Sequence, residues 1–129
     1  MVDPKRKRIL CIDDDKHVYA VVSFMLQQAG YHVECAVDGA QGVQFAASMK
    51  PDLIILDYMM PAGGGGTVFE HVRASFATSK TPILVFSAAH KAEIDKKITF
   101  DDRTRFLAKP TAPPLIVEMV NAMLGGAQA

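Results

Sequence analysis

The chain has 129 residues, half of them apolar, enough to bury a core without disulfides or a structural metal. Fourteen basic and fourteen acidic residues cancel, so no long-range field marks the chain for nucleic acid or anionic lipid. No apolar stretch approaches the roughly 20 residues of a membrane helix, and the basic start has no apolar signal-peptide core behind it, which leaves the cytoplasm as the expected location.

The run Lys5-Arg6-Lys7-Arg8 reads as a solvated lead-in. Ile9-Leu10-Cys11-Ile12 follows as a short apolar run and enters Asp13-Asp14-Asp15. Val18, Val21, Val22, Met25 and Ala29 then recur at helical spacing until Gly30, which suits a helix C-terminus. Tyr31 to Ala36 alternates, Val33 and Cys35 against His32 and Glu34, as an edge strand does. Ala40, Val43 and Ala47 outline a second helix that must stop before Lys50, because Pro51 disfavours helical geometry there. Leu53-Ile54-Ile55-Leu56 runs into Asp57, and Val68, Phe69, Val72 and Phe76 mark a third helix. Ile83-Leu84-Val85-Phe86 ends in Ser87, and Phe106-Leu107-Ala108 ends in Lys109. Between them, residues 90 to 99 carry only Ile94 and Ile98 on an apolar stripe, the weakest helix candidate. Pro113 and Pro114 suit the opening turn of the last helix, with a stripe of Ile116, Met119, Val120 and Met123 before Gly125-Gly126.

Strand and helix therefore alternate five times, which predicts a three-layer α/β domain around a doubly wound parallel sheet of five strands, flavodoxin-like in plan. Right-handed crossovers and an edge position for the second run give strand order 2-1-3-4-5. The winding then reverses between strands 1 and 3, and open α/β sheets place their sites at such a point. With no repeat, no linker and no low-complexity tract beyond Gly63 to Gly66, a single domain over residues 1–129 is expected, its core about 8–124.

The four strand ends would gather Asp13, Asp14, Asp57, Ser87 and Lys109 at one edge. Acids that meet in a partly buried site repel and need compensation, which a hard divalent cation supplies. Mg²⁺ takes oxygen ligands and keeps waters that phosphate oxygens can replace, so two carboxylates with a backbone carbonyl such as that of Met59 form a plausible half-shell. Lys109 can pair with Asp57 and with an incoming phosphoryl group, Ser87 can donate to a phosphoryl oxygen, and a carboxylate so placed can become an aspartyl phosphate. Capping alone explains Asp13, Asp14 and Asp57 poorly, whereas Asp15 reads better as a helix N-cap. Ser87 by itself reads equally as a turn residue. Cys11 and Cys35 read as two buried reduced thiols, and His17, His32, His71 and His90 share no metal spacing.

Asp13-Asp14, Asp57 within Pro51 to Pro61, Ser87, Phe106 and Lys109-Pro110 appear in family-like order and spacing. From about Arg8 to Leu124 the chain resembles the receiver domains of two-component response regulators. The resemblance implies Asp14 as direct Mg²⁺ ligand, Asp57 as phosphoacceptor, Ser87 and Lys109 as phosphoryl contacts, and Ser87 and Phe106 as switch residues. A lysine–proline bond at Lys109-Pro110 is often cis in that family. A sensor histidine kinase or a histidine phosphotransfer protein would be the donor, and an unknown output protein or domain would bind the 90–124 face, with neither nucleic acid nor membrane as direct partner. Such a domain is no enzyme beyond its own phosphorylation and dephosphorylation.

Departures from the family pattern lie at Ala62-Gly63-Gly64-Gly65-Gly66, where Gly65 matches the family's single glycine and the extra glycines imply a mobile loop. Apolar Met59 and small Ala89 offer nothing to orient water, which implies a phosphoryl lifetime that is not short. A flavin or nucleotide carrier is disfavoured, since three aspartates occupy the loop that would cradle phosphate. A Mg²⁺-dependent phosphohydrolase with an aspartyl-phosphate intermediate is the alternative, but Met59 stands where that class places a second acid.

Overall fold

The computed structural model describes residues 6–60 and 64–125; Lys5, Pro61, Ala62, Gly63 and Gly126 lie outside them. In chain order the elements are β1 (Arg8–Ile12), α1 (Lys16–Gln28), β2 (His32–Ala36), α2 (Gly39–Met49), β3 (Leu53–Leu56), α3 (Gly64–Ala74), β4 (Ile83–Ser87), α4 (Lys91–Asp95), β5 (Thr104–Ala108) and α5 (Pro113–Met123). The strands form one all-parallel sheet in the order β2-β1-β3-β4-β5, the predicted architecture.

Alternate residues of the central strands feed two cores, because successive side chains of a strand point to opposite faces. Leu10, Ile12, Ile54, Leu56, Ile83 and Val85 pack with Ala46 of α2, Val68 and Val72 of α3, and Ile94 and Ile98. Ile9, Cys11, Leu53, Ile55, Leu84 and Phe86 pack with Val22 and Leu26 of α1 and Ile116 and Val120 of α5. Strands buried on both faces explain why these runs are continuously apolar rather than alternating.

Helix ends follow their local chemistry. Asp15 caps α1 by accepting from the amides of His17, at 2.9 Å, and Val18, at 3.4 Å, as expected of it. Asp38 does the same for α2 through the Gln41 amide at 2.8 Å. Lys50 ends α2 at φ 50° and Gly30 follows α1 at φ 99°.

Several expectations are corrected. Helix α2 turns Gly42 and Ala46 inward, not the stripe of Ala40, Val43 and Ala47: Ala40 and Ala47 are exposed and Val43 is half-buried. Small residues win that face because α2 lies against β1, where a Cβ on Gly42 would stand 2.8 Å from Ile12 Cδ1. Phe76 is 99% exposed; α3 stops at Ala74, and Thr78, donating to the Val72 carbonyl at 2.7 Å, turns the chain away first. Gly64, Gly65 and Gly66 open α3 rather than a loop. Helix α4 is only five residues long, though Ile94 and Ile98 are both buried as expected. In the basic run, Arg6 and Lys7 are exposed, but Arg8 is half-buried in β1, its guanidinium donating to the Met49 carbonyl at 2.8 Å. Cys11 is buried; Cys35, on the edge strand, is only half-buried.

Candidate functional site

Asp13, Asp57 and Lys109 stand just past the carboxyl ends of β1, β3 and β5 and Ser87 ends β4, with Asp14 and Met59 in the loops that follow and Phe106 in the middle of β5. Asp13 leaves β1 and ties the sheet together through its amide, which donates to the Ala36 carbonyl of β2 at 3.0 Å. Asp57 leaves β3, its amide bonded to the Ile12 carbonyl at 2.9 Å. Ser87 closes β4, and its carbonyl accepts the Lys109 amide at 2.9 Å, so the ends of β4 and β5 are coupled through backbone. One ligand oxygen each from Asp13, Asp14 and Asp57 lies within 4.8 Å of the others. Asp13 and Asp57 are buried while Asp14 is exposed, so the acid cluster opens to solvent on the Asp14 side.

Lys109 reaches into this cluster over the ring of Phe86, 5.3 Å from its centroid. Its ammonium meets Asp13 Oδ2 at 2.7 Å and Asp57 Oδ2 at 3.6 Å. Burial by itself would lower the Lys109 pKa, but the Asp13 hydrogen bond and the charges of Asp57 and Asp13 outweigh it and hold the pKa above the ordinary lysine value. Asp57 moves the other way from a paired carboxylate: burial pushes it above the usual range, with Asp13 and Asp14 adding repulsion, and the Met59 amide and Lys109 offset this incompletely. Three carboxylates thus share one lysine in this cluster.

The two oxygens of Asp57 have distinct surroundings. Oδ1 accepts the Met59 amide at 3.0 Å, leaving Oδ2 on the Lys109 side. Asp13 is pinned similarly, its Oδ1 accepting the Asp15 amide at 2.9 Å. Ser87 is fully buried, and its Oγ accepts the Ala89 amide at 3.2 Å, which leaves its O–H as donor. Phe106 lies in register with Val85, two residues before Ser87. It is half-buried and meets Phe100 edge-to-face at 6.2 Å and 86°. The Lys109-Pro110 bond is cis.

Of the residues expected at one sheet edge, Asp13, Asp14, Asp57 and Lys109 come together, and Ser87 joins them through its backbone bond to Lys109. The positioning amides of Asp15, Met59 and Ala89 escaped it, although aspartate or serine two residues before an amide is the ordinary signal for such turns. Gly65 is held by close approach: a Cβ there would lie 2.4 Å from the Asp57 carbonyl oxygen and 2.4 Å from Tyr58 Cα, and the Gly65 amide donates to the Tyr58 carbonyl at 2.9 Å. The histidines bring no ligand set; His17, His71 and His90 are exposed, and His32 pairs with Glu34 at 3.0 Å. Among the described residues, no helix is long and apolar enough to cross a membrane.

The fold is shared widely. The chain matches the chemotaxis protein CheY4 of Vibrio cholerae with a TM-score of 0.85 and 30% identity, over 92% of this chain and 98% of that one. A putative response regulator from Chloroflexus aurantiacus matches with a TM-score of 0.81 and 29% identity, over 92% and 98% of the two chains. In sequence the chain is 39% identical over 118 residues to the DNA-binding dual master transcriptional regulator RpaA of Synechocystis. That alignment covers 91% of this chain and 48% of RpaA, so the chain spans about half the length of this relative. The family model of the response regulator receiver domain matches residues 9–121. With its two-layered core, its strand order and this agreement over most of its length, the chain belongs to the response regulator receiver domain family of two-component systems.

Proposed function

We propose that the chain is a single, cytoplasmic receiver domain in which Asp57 accepts a phosphoryl group from the phosphohistidine of a sensor histidine kinase or phosphotransfer protein, in a Mg²⁺-dependent reaction. The observation that carries this reading is the convergence of three carboxylates within 4.8 Å beside a lysine that contacts two of them. The donor set fits the metal: all ligands are hard oxygens, one acid is exposed for exchange, and three carboxylates face a single lysine. Asp13, Asp14, Asp57 and the Met59 backbone carbonyl would hold the ion. Bound there, Mg²⁺ supplies neutralisation of the acids and of the charge on phosphoryl oxygens.

Asp57 Oδ2 is the nucleophile, since Oδ1 is occupied by the Met59 amide. As its bond to phosphorus forms, the phosphorus–nitrogen bond of the donor breaks and the imidazole keeps the electron pair. Lys109 turns from its carboxylates to the new phosphoryl oxygens, and Ser87 donates its hydroxyl to another. Because Ser87 is bonded through its carbonyl to the Lys109 amide, its shift is felt along β5, where Phe106 turns inward and alters the 90–124 face that an output partner reads. The short α4, with one turn of helix and a single buried isoleucine, Ile94, has little to lose by moving. Apolar Met59 and Ala89 leave the phosphoryl group without a water-orienting neighbour, so it persists.

The hydrolase alternative is not favoured: its second acid would fall on Met59, whose side chain is 61% exposed. Intact mass after incubation with acetyl phosphate decides the reading. The wild type should gain one phosphoryl group with Mg²⁺ and none with EDTA, and Asp57→Asn should gain none. A gain that survives Asp57→Asn would overturn the assignment.

A further inference from the structure

The two cysteines are the only ones in the chain, and the fold sets them face to face. Cys11 of β1 and Cys35 of β2 are Cα partners in the parallel ladder, so their side chains leave the same face of the sheet. Directly opposed residues on neighbouring strands stand about 4.8 Å apart, inside the roughly 4.4–6.8 Å range that a disulfide spans. The pair is asymmetric: Cys11 is sealed in the core at 1% exposure, whereas Cys35 lies half-buried on the edge strand. Cys35 Sγ also donates to the Ala36 carbonyl at 3.7 Å, and that carbonyl accepts the Asp13 amide at 3.0 Å.

We infer that Cys35 and Cys11 form a reversible disulfide driven by hydroperoxides, and that its formation is felt at Asp13 through the shared Ala36 carbonyl. Cys35 reacts first, as the attacking nucleophile, since it is the sulfur reached by solvent; the neighbouring Cys11 thiol lowers its pKa, with burial opposing. Its sulfur takes one peroxide oxygen: the O–O bond breaks, an S–O bond forms, and the other oxygen leaves as alcohol or water. Cys11 sulfur then attacks the Cys35 sulfur, the S–S bond forms, the S–O bond breaks, and hydroxide departs with the Cys11 proton as water. Two thiols and one hydroperoxide thus yield a disulfide, water and the reduced peroxide. Closing the bond draws the sulfurs to about 2.05 Å and shifts β1 against β2 just where Asp13 leaves the sheet. Resting on the functional reading above, this couples oxidation to the cation-binding end of the phosphoacceptor site.

The test is stoichiometric hydrogen peroxide on the reduced protein, followed by denaturation, N-ethylmaleimide and intact mass. Alkylatable thiols should fall from two to none in a monomer lighter by two hydrogens, and dithiothreitol should restore both. Cys11→Ala should instead leave a single sulfenic acid on Cys35, trapped by dimedone. Retention of both thiols, loss of Cys35 alone to higher oxides, or a disulfide-linked dimer in the wild type would each overturn the proposal, and these wild-type readings hold even if the variant does not fold. In ¹H–¹⁵N spectra without metal, the Asp13 amide should shift on oxidation; an unmoved Asp13 amide in a fully oxidised sample would refute the coupling. Because neither readout uses phosphorylation, failure of the phosphoacceptor reading would be seen separately.

Discussion

Gly65 and Gly66 are adjacent residues of one helix, yet a methyl group should affect them oppositely. At Gly65 the added Cβ would stand 2.4 Å from the Asp57 carbonyl oxygen and from Tyr58 Cα, both backbone atoms of the segment that carries the Asp57 carboxylate. Gly65 does not have a positive φ, so the penalty is steric and not conformational. Opening that contact means backing the start of α3 away by about 1 Å, an overpacking cost of roughly 1–3 kcal/mol or more, against a helix-propensity gain of about 1 kcal/mol for alanine. At Gly66 the nearest atom is Tyr58 Oη at 3.2 Å, the tip of a rotatable side chain, and the propensity gain should dominate. Gly65→Ala should therefore lose about 2 kcal/mol, which lowers Tm by roughly 8 °C for a domain of this size, while Gly66→Ala should be neutral or gain up to about 1 kcal/mol. Urea denaturation of the two variants in parallel reads the difference. Equal stabilities, or a greater loss in Gly66→Ala, would refute the close-approach argument.

Three further outcomes are expected. The folded pKa of Asp57 is raised above its unfolded value of about 3.9, so the native state holds that proton more tightly. Stability falls as pH climbs from about 4 through the folded pKa and stays lower at neutral pH. Asp57→Asn should thus be more stable than wild type at pH 7 without Mg²⁺, the gap closing near pH 4 in urea titrations; a variant less stable at pH 7 would contradict this. Lys109→Met leaves the buried Asp13 without its 2.7 Å partner and should cost about 3 kcal/mol, partly recovered by Mg²⁺ in thermal melts. The raised Lys109 pKa gives the sign: its contribution is present at neutral pH and is lost only as pH rises through the folded pKa, above the ordinary lysine range. Arg73 holds the Thr81 carbonyl at 2.6 Å and the buried Thr104 Oγ1 at 3.0 Å, so Arg73→Met should lose about 2 kcal/mol in urea with phosphoryl uptake unchanged.

Strand ends were the most legible part of the sequence. A short apolar run that stops at a polar residue marks both the buried strand and the side chain it delivers, so Asp13, Asp57, Ser87 and Lys109 could be placed from the same four patterns. Strand order followed from one fact, the alternation of the second run, which makes β2 an edge. What escaped was set by distance in space. The inward face of α2 depends on how near the helix lies to Ile12, and this selects Gly42 over the more apolar Ala40 and Ala47. Phe76 has the right spacing for the α3 stripe, but Thr78 ends the helix before its periodicity applies. Arg8 reads as part of a charge run, yet its guanidinium meets a carbonyl at the end of α2. The facing of Cys11 and Cys35 is a matter of strand register, which no local pattern states.

The account rests on a divalent cation held between the three aspartates. Crystals soaked in Mn²⁺ as a substitute for Mg²⁺ test this most directly, through an anomalous difference map at the manganese edge. A single strong peak within coordination distance of carboxylate oxygens of Asp13 or Asp14 and of Asp57 is the predicted result. No peak at that site, with Asp14 and Asp57 turned apart, would contradict it.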